Sequence, residues 1–271
     1  MFESVSDCGA DMQSMWINID GRFEELQIPH DRAEVMPGVQ WGMPENLFTP
    51  AFWKYQSEAQ VRRRRYGNHR LGANLLEEIS VCLLGGYGIP AEMGLLAFER
   101  LRDNGLLDGT ASEDDLRAML SSPFEGDGRS RKYRFANQKA KYLSRSLAEA
   151  RQLNDLGGDK SSRDALLALP GIGPKTASWV IRNHYDSDEV AIIDIHLHRA
   201  GLLMNLFGKE SDPAKDYFAL EDAFLSFANA IAVRASVLDA VIWDYMRRIG
   251  PTAIRPRTAA VSPKAQLELV L

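Results

Sequence analysis

The chemistry this chain could do starts at Lys175. The run Leu169-Pro170-Gly171-Ile172-Gly173-Pro174-Lys175 sets that amine in the first turn of a helix, directly after a tight glycine turn. The positive end of the helix dipole opposes the ammonium form there and should favour the neutral amine that a nucleophile needs. A phosphate contact is an equally ordinary use for the same lysine. Asp194 is the second such residue: it follows the apolar run Val190-Ala191-Ile192-Ile193 and precedes Ile195-His196-Leu197-His198-Arg199. An Asp in that place can cap the next helix, where it is among the preferred residues. It can also be a buried carboxylate aimed at a ligand.

The elements around Lys175 follow from the residues that flank it. Gly171 and Gly173 lack a Cβ, so the backbone can turn sharply and approach another backbone closely. Pro174 suits a first helical turn, where its missing N–H would have no partner, and residues 175–182 carry apolar side chains at helical spacing. Leu166, Leu167 and Leu169 end an earlier helix, so residues 163–184 read as helix–hairpin–helix. The unpaired amides at the start of the second helix make the turn a seat for a phosphate.

Leu-Pro-Gly-Ile-Gly-Pro-Lys-Thr-Ala followed by Ile-Asp-Ile-His-Leu-His-Arg resembles the helix–hairpin–helix (HhH-GPD) DNA glycosylase superfamily, in its 8-oxoguanine glycosylase/AP lyase branch. The resemblance implies a lysine that attacks the sugar carbon C1′, giving a Schiff base, and an Asp that assists. Carried over, Lys175 is the nucleophile and Asp194 its electrostatic partner, with Gly171, Gly173 and Thr176 on the DNA backbone. Ile195 stands where the superfamily usually has Thr, which removes a hydroxyl beside the Asp. The implied activity is base excision with AP lyase action on double-stranded DNA carrying a damaged or modified base, 8-oxoguanine foremost. Two other readings stay open: a glycosylase for another modified base, and a hairpin protein that binds DNA without catalysis.

Composition narrows the class. The chain has 271 residues, a formal net charge of −5 and only two cysteines, Cys8 and Cys82. Two cysteines exclude a disulfide framework and a four-cysteine cluster, so no iron–sulfur cofactor is expected. The histidines show no metal spacing, and no metal is expected either. No apolar run is long enough to span a bilayer and no signal-peptide core is evident, which points to a cytoplasmic protein without membrane contact; the resemblance implies a nucleoid-associated monomer. The negative total is unfavourable for binding phosphates, but the positive charge is clustered. Arg62-Arg63-Arg64-Arg65 with Arg70 is one group, and Arg129, Arg131, Lys132 and Arg134 with Lys139 and Lys141 is the other. Arg65, Arg134 and Lys139 are the expected DNA contacts from these clusters.

The fold class expected is mainly α, two helical lobes with the cleft between them and a small N-terminal segment with room for short strands. Residues 1–70 form an N-terminal segment without a recognisable fold, in which Trp16-Ile17-Asn18-Ile19 and Phe23-Glu24-Glu25-Leu26 suit a short hairpin and residues 39–55 suit aromatic core packing. Residues 71–250 form the helical glycosylase core, with helices over 71–84, 90–104, from the cap Ser112, 137–153, 196–206, 213–230 and 232–248. Residues 251–271 look like an extension. On the last helix, Asp239 and Trp243 are four apart and share a face. They resemble the acid and aromatic ring that contact the extruded base in archaeal-type 8-oxoguanine glycosylases, while a buried Trp on an amphipathic helix is the plain alternative.

Overall fold

A computed structural model of the chain describes residues 12–250 apart from 65–68, 87, 127–128 and 155. The order among the described residues is β1 (Met12–Ile19), β2 (Arg22–Pro29), β3 (Glu34–Met36), β4 (Val39–Gln40), α1 (Pro50–Arg62), α2 (Leu75–Leu84), α3 (Ala91–Asp103), α4 (Glu113–Ser121), β5 (Phe124–Gly126), β6 (Arg129–Arg131), α5 (Ala136–Ala150), α6 (Lys160–Leu166), α7 (Pro174–Tyr185), α8 (Ile195–Leu203), α9 (Tyr217–Ala230) and α10 (Ala235–Ile249). The strands form three antiparallel pairs, β1 with β2, β3 with β4 and β5 with β6. The mainly helical class is as expected.

The N-terminal hairpin is longer than its sequence signal. Met15 and Ile17 point into the core and Trp16 and Asn18 outward, the alternation a half-buried strand requires. Asp20 and Gly21 both take positive φ at the turn, which matches the twist of the two strands it joins. The aromatic stretch after it hides α1. Thr49 caps that helix by accepting the amide of Phe52 (3.1 Å), and Pro50 occupies its first turn. Phe52 and Trp53 then pack edge-on at 4.9 Å, and Tyr245 of α10 lies against both.

Two apolar cores result. One joins Met15, Ile28, Trp41, Phe52 and Trp53 to Leu197, Phe224, Phe227, Leu238 and Ile242, so β1 to β4 and α1 are built into the same lobe as α8 to α10. The other is made by α2 to α7, around Ile79, Leu83, Phe98, Leu101, Leu116, Leu143 and Ile181. Cys82 is buried in it, and Cys8 lies outside the described residues.

The lobes meet through buried polar groups. Arg163 on α6 pairs with Glu221 on α9, with Arg163 4% and Glu221 1% exposed. Glu221 also accepts Ser178 Oγ (2.8 Å) and the Ala191 amide (3.0 Å). Arg182 on α7 pairs with Asp239 on α10 at 2.8 Å. Carboxylates buried this deeply are tolerable only with such partners.

The helix–hairpin–helix forms as the sequence suggests. Asp159 caps α6 through the Ser162 amide (2.8 Å), and the Ile172 amide reaches back to the Leu169 carbonyl (3.1 Å) to close the turn. Ser146 of α5 donates to the Pro170 carbonyl at 2.6 Å and fixes the turn from behind. The two glycines serve different ends, where the sequence reading gave them one. Gly171 has φ +80°, and a Cβ there would stand 2.4 Å from the Tyr142 ring. Gly173 is extended and has open space where its Cβ would be; it is the N-cap of α7 and supplies no side-chain acceptor.

Candidate active site

The site lies where the lobes face each other. A cavity of about 320 Å³ is lined by His69, Leu71, Lys175, Trp179, Arg182 and Asn183 from one lobe and by Ile192, Asp194, Leu197, Asp239, Ala240, Trp243 and Asp244 from the other. That volume is in the range of small-molecule pockets. All four side chains expected to act on the base or sugar, Lys175, Asp194, Asp239 and Trp243, line it together.

Lys175 is half-buried in the first turn of α7 with its Nζ 5.8 Å from the Trp179 ring centroid. The amides of that turn have no side-chain cap, which leaves them available to an anion. Asp194 is half-buried and caps the next helix. Its Oδ1 accepts the amides of His196 (2.8 Å) and Leu197 (2.9 Å), capping α8, while the carboxylate lines the cavity. The cap locks the carboxylate in direction, since its rotation would cost two hydrogen bonds.

Asp239 is 2% exposed and held by Arg182 Nη2 (2.8 Å) and Nε (3.3 Å). Burial pushes its carboxyl up to about 6, and the charge of Arg182 pulls the other way. Trp243, one turn along, is 38% exposed, with the Arg247 guanidinium 4.5 Å from its ring centroid. The shared helix face therefore becomes a shared cavity wall. Across from it, burial and the nearby Arg182 charge hold His69 neutral, down to about 4.

The expected DNA contacts divide. Thr176 is half-buried beside Lys175 in the first turn of α7, and Arg134 is exposed with its guanidinium 5.0 Å from the Phe135 ring centroid. Lys139 points inward: its Nζ donates to the Leu83 carbonyl at 2.5 Å, and burial with the charge of Lys175 lowers its pKa. Arg65 lies outside the described residues. Of its neighbours, Arg62 pairs with Glu24 (2.9 Å) and Glu58 (3.4 Å), and Arg63 donates to the Asn18 carbonyl, so both tie α1 to the N-terminal hairpin. The other basic cluster includes Arg131, which pairs with Glu92 at 3.2 Å.

Three cavity residues of α7 were not picked out from sequence: Trp179, Arg182 and Asn183. They stand four, seven and eight positions after Lys175, the spacing of one helix face. That stripe was readable once Lys175 was taken as facing a pocket. His69 and Leu71 carry no such signal, because their place depends on contacts with α2. Among the described residues no group of three or more His, Cys, Asp or Glu could hold a metal ion, and no single helix is long and apolar enough to cross a membrane.

A family model described as 8-oxoguanine DNA glycosylase, of the helix–hairpin–helix type, matches residues 59–233. Lys175 and Asp194 fall inside that span, whereas Asp239 and Trp243 fall beyond it. No curated protein matches the chain. Among solved structures, the 8-oxoguanine DNA glycosylase of Methanocaldococcus jannaschii is 20% identical, with 72% of this chain and 92% of that one covered and a TM-score of 0.53. A non-covalent endonuclease III–DNA complex is 14% identical, with coverage of 72% and 84% and a TM-score of 0.53. A trapped endonuclease III–DNA covalent intermediate is also 14% identical, covers 69% and 81%, and has a TM-score of 0.52. At these identities the likeness is one of fold.

Proposed function

The chain belongs to the 8-oxoguanine DNA glycosylase family, and on that premise we propose that it excises 8-oxoguanine from double-stranded DNA through a Schiff base on Lys175 and then cuts the strand as an AP lyase. The observation that carries the reading is the meeting of Lys175 and Asp194 in one cavity between the lobes, at the mouth of an uncapped helix N-terminus.

A stacked base hides its glycosidic bond, so the nucleotide must leave the duplex and enter the cavity. The amides of the α7 first turn bind the backbone phosphate beside it. Lys175, as the neutral amine, attacks C1′; the C1′–N bond breaks and the base departs with the bonding electrons. Asp194 stabilises the positive charge that develops on the sugar as that bond lengthens. Opening of the sugar ring gives the Schiff base, and loss of a C2′ proton expels the 3′ phosphate by β-elimination. The fold is shared with endonuclease III, which has been trapped as a covalent intermediate with DNA. Trp243 and Asp239 meet the base, the ring by stacking and the carboxylate by accepting its N–H groups. In this reading the chain works as a monomer in the cytoplasm, on nucleoid DNA, and neither metal nor iron–sulfur cluster takes part.

The test is excision from a set of otherwise identical duplexes carrying 8-oxoguanine, guanine, an oxidised pyrimidine, an alkylated purine or a bulkier modified base. Release of 8-oxoguanine with strand scission is the expected result. Faster release of another base would change the substrate, and binding without release of any base would leave a non-catalytic hairpin protein.

A further inference from the structure

Behind the cavity runs a chain of buried polar side chains that begins at Glu78 on α2, a residue with 0% exposure. Its Oε2 accepts the amides of Leu71 (2.9 Å) and Gly72 (2.8 Å), and its Oε1 accepts Asn183 Nδ2 (2.9 Å). Asn183 Oδ1 in turn accepts Arg182 Nη1 (2.8 Å), and Arg182 holds Asp239. The chain thus starts at the loop that brings His69 and Leu71 to the cavity and ends on the carboxylate that α10 presents there. Gly72 leaves that loop no room to shift toward the helix, since a Cβ there would stand 2.5 Å from the Glu78 amide nitrogen.

We propose that Glu78 is a positioning residue for base recognition: it fixes the His69–Leu71 wall and, through Asn183 and Arg182, sets where Asp239 meets the extruded base. The proposal rests on the glycosylase reading above. The hydrogen-bond roles are forced in sequence along the chain. A carboxylate only accepts, so Asn183 must turn its NH2 toward Glu78 and its oxygen toward Arg182, which only donates. Glu78→Gln keeps the shape but sets an NH2 against the NH2 of Asn183. Rotating Asn183 moves the conflict to Arg182, which has no acceptor to offer. Either way Arg182 or the loop must shift, and the cavity changes without any change in a residue that touches DNA. Asn183→Asp reverses the conflict, because an aspartate accepts from both sides. In Glu78→Gln/Asn183→Asp every donor faces an acceptor again.

The experiment compares single-turnover excision of 8-oxoguanine with strand cleavage at a pre-formed abasic site, in wild type, Glu78→Gln and the double variant. The abasic site has no base to position, so the ratio of the two rates isolates recognition and cancels any inactive fraction. Glu78→Gln is expected to lower that ratio by about tenfold or more, since small misplacements in a site have costs of that order, and the double variant is expected to recover most of it. An unchanged ratio in Glu78→Gln, equal loss of both activities, no recovery in the double variant, or failure of both variants to fold would each overturn the proposal and leave Glu78 a structural residue. A wild-type protein inactive on both substrates would instead overturn the glycosylase reading, and this proposal with it.

Discussion

Asp194 caps α8 and, in the proposed reaction, supplies the negative charge that meets the sugar cation, and the two can be separated. Asn caps helices about as well as Asp, so Asp194→Asn should keep α8 in place while removing the negative charge. Its melting temperature should stay within about 2 °C of wild type, and excision should fall by about 10²–10³-fold, the cost typical of losing one electrostatic contact to a transition state. A large loss of stability with little loss of excision would make the cap the residue's main work. Asp239 yields to a different measurement. With its carboxyl raised to about 6 by burial, the accepting, ionised form is lost as pH falls through about 6. Excision of the base should drop over that interval in wild type, while cleavage of abasic DNA should not, and Asp239→Asn should lose the inflection. Lys175 and Asp194 were legible because the first directly follows the glycine turn and the second is itself the cap of α8. Trp179, Arg182 and Asn183 needed one more inference, that the Lys175 face of α7 continues along the cavity.

The hairpin element shows how unequal two glycines in one motif can be. Gly171→Ala must adopt φ +80° and find room for a Cβ 2.4 Å from the Tyr142 ring. Gly173→Ala meets no neighbour and no strained φ. Strain at such a position costs roughly 1–3 kcal/mol before any clash is counted, whereas an N-cap Gly to Ala change is worth about 1 kcal/mol or less. Thermal unfolding should therefore show Gly171→Ala clearly less stable than Gly173→Ala; equal stability would mean Tyr142 moves aside without cost. The helices of the core were legible by their periodic apolar faces, and best bounded where the start is marked, as at Ser112 or Pro174; α2 and α9 each begin four residues later than expected, at Leu75 and Tyr217. The first helix, α1, was not legible. Its aromatic residues read as unspecified core, and its closing arginines read as a DNA patch, whereas Arg62 and Arg63 in fact bind Glu24, Glu58 and the Asn18 carbonyl. Nothing local marks an arginine's partner when that partner lies on a distant hairpin.

At the scale of the whole molecule, the cavity exists only because two separately packed lobes are held at one separation. Buried pairs such as Arg163–Glu221 and Arg182–Asp239 span the lobes, and removing one partner leaves a buried charge alone. Arg163→Ala should cost about 3–5 kcal/mol and lower the melting temperature by roughly 10 °C; a shift under about 2 °C would show that Glu221 finds other partners at no cost. The lobe arrangement was expected from the family resemblance, but that residues 12–62 complete one lobe was not, because α1 joins that lobe by packing on α10, far along the chain. The account as a whole turns on a covalent bond from Lys175 to DNA. Borohydride trapping tests it most directly, with wild type, Lys175→Gln and Asp194→Asn each incubated on duplexes carrying 8-oxoguanine or an abasic site. Wild type should form a covalent protein–DNA adduct on both, Asp194→Asn should form it slowly, and Lys175→Gln should bind the same DNA and form none. An adduct of undiminished yield in Lys175→Gln, or no adduct in wild type that binds both duplexes, would contradict the account.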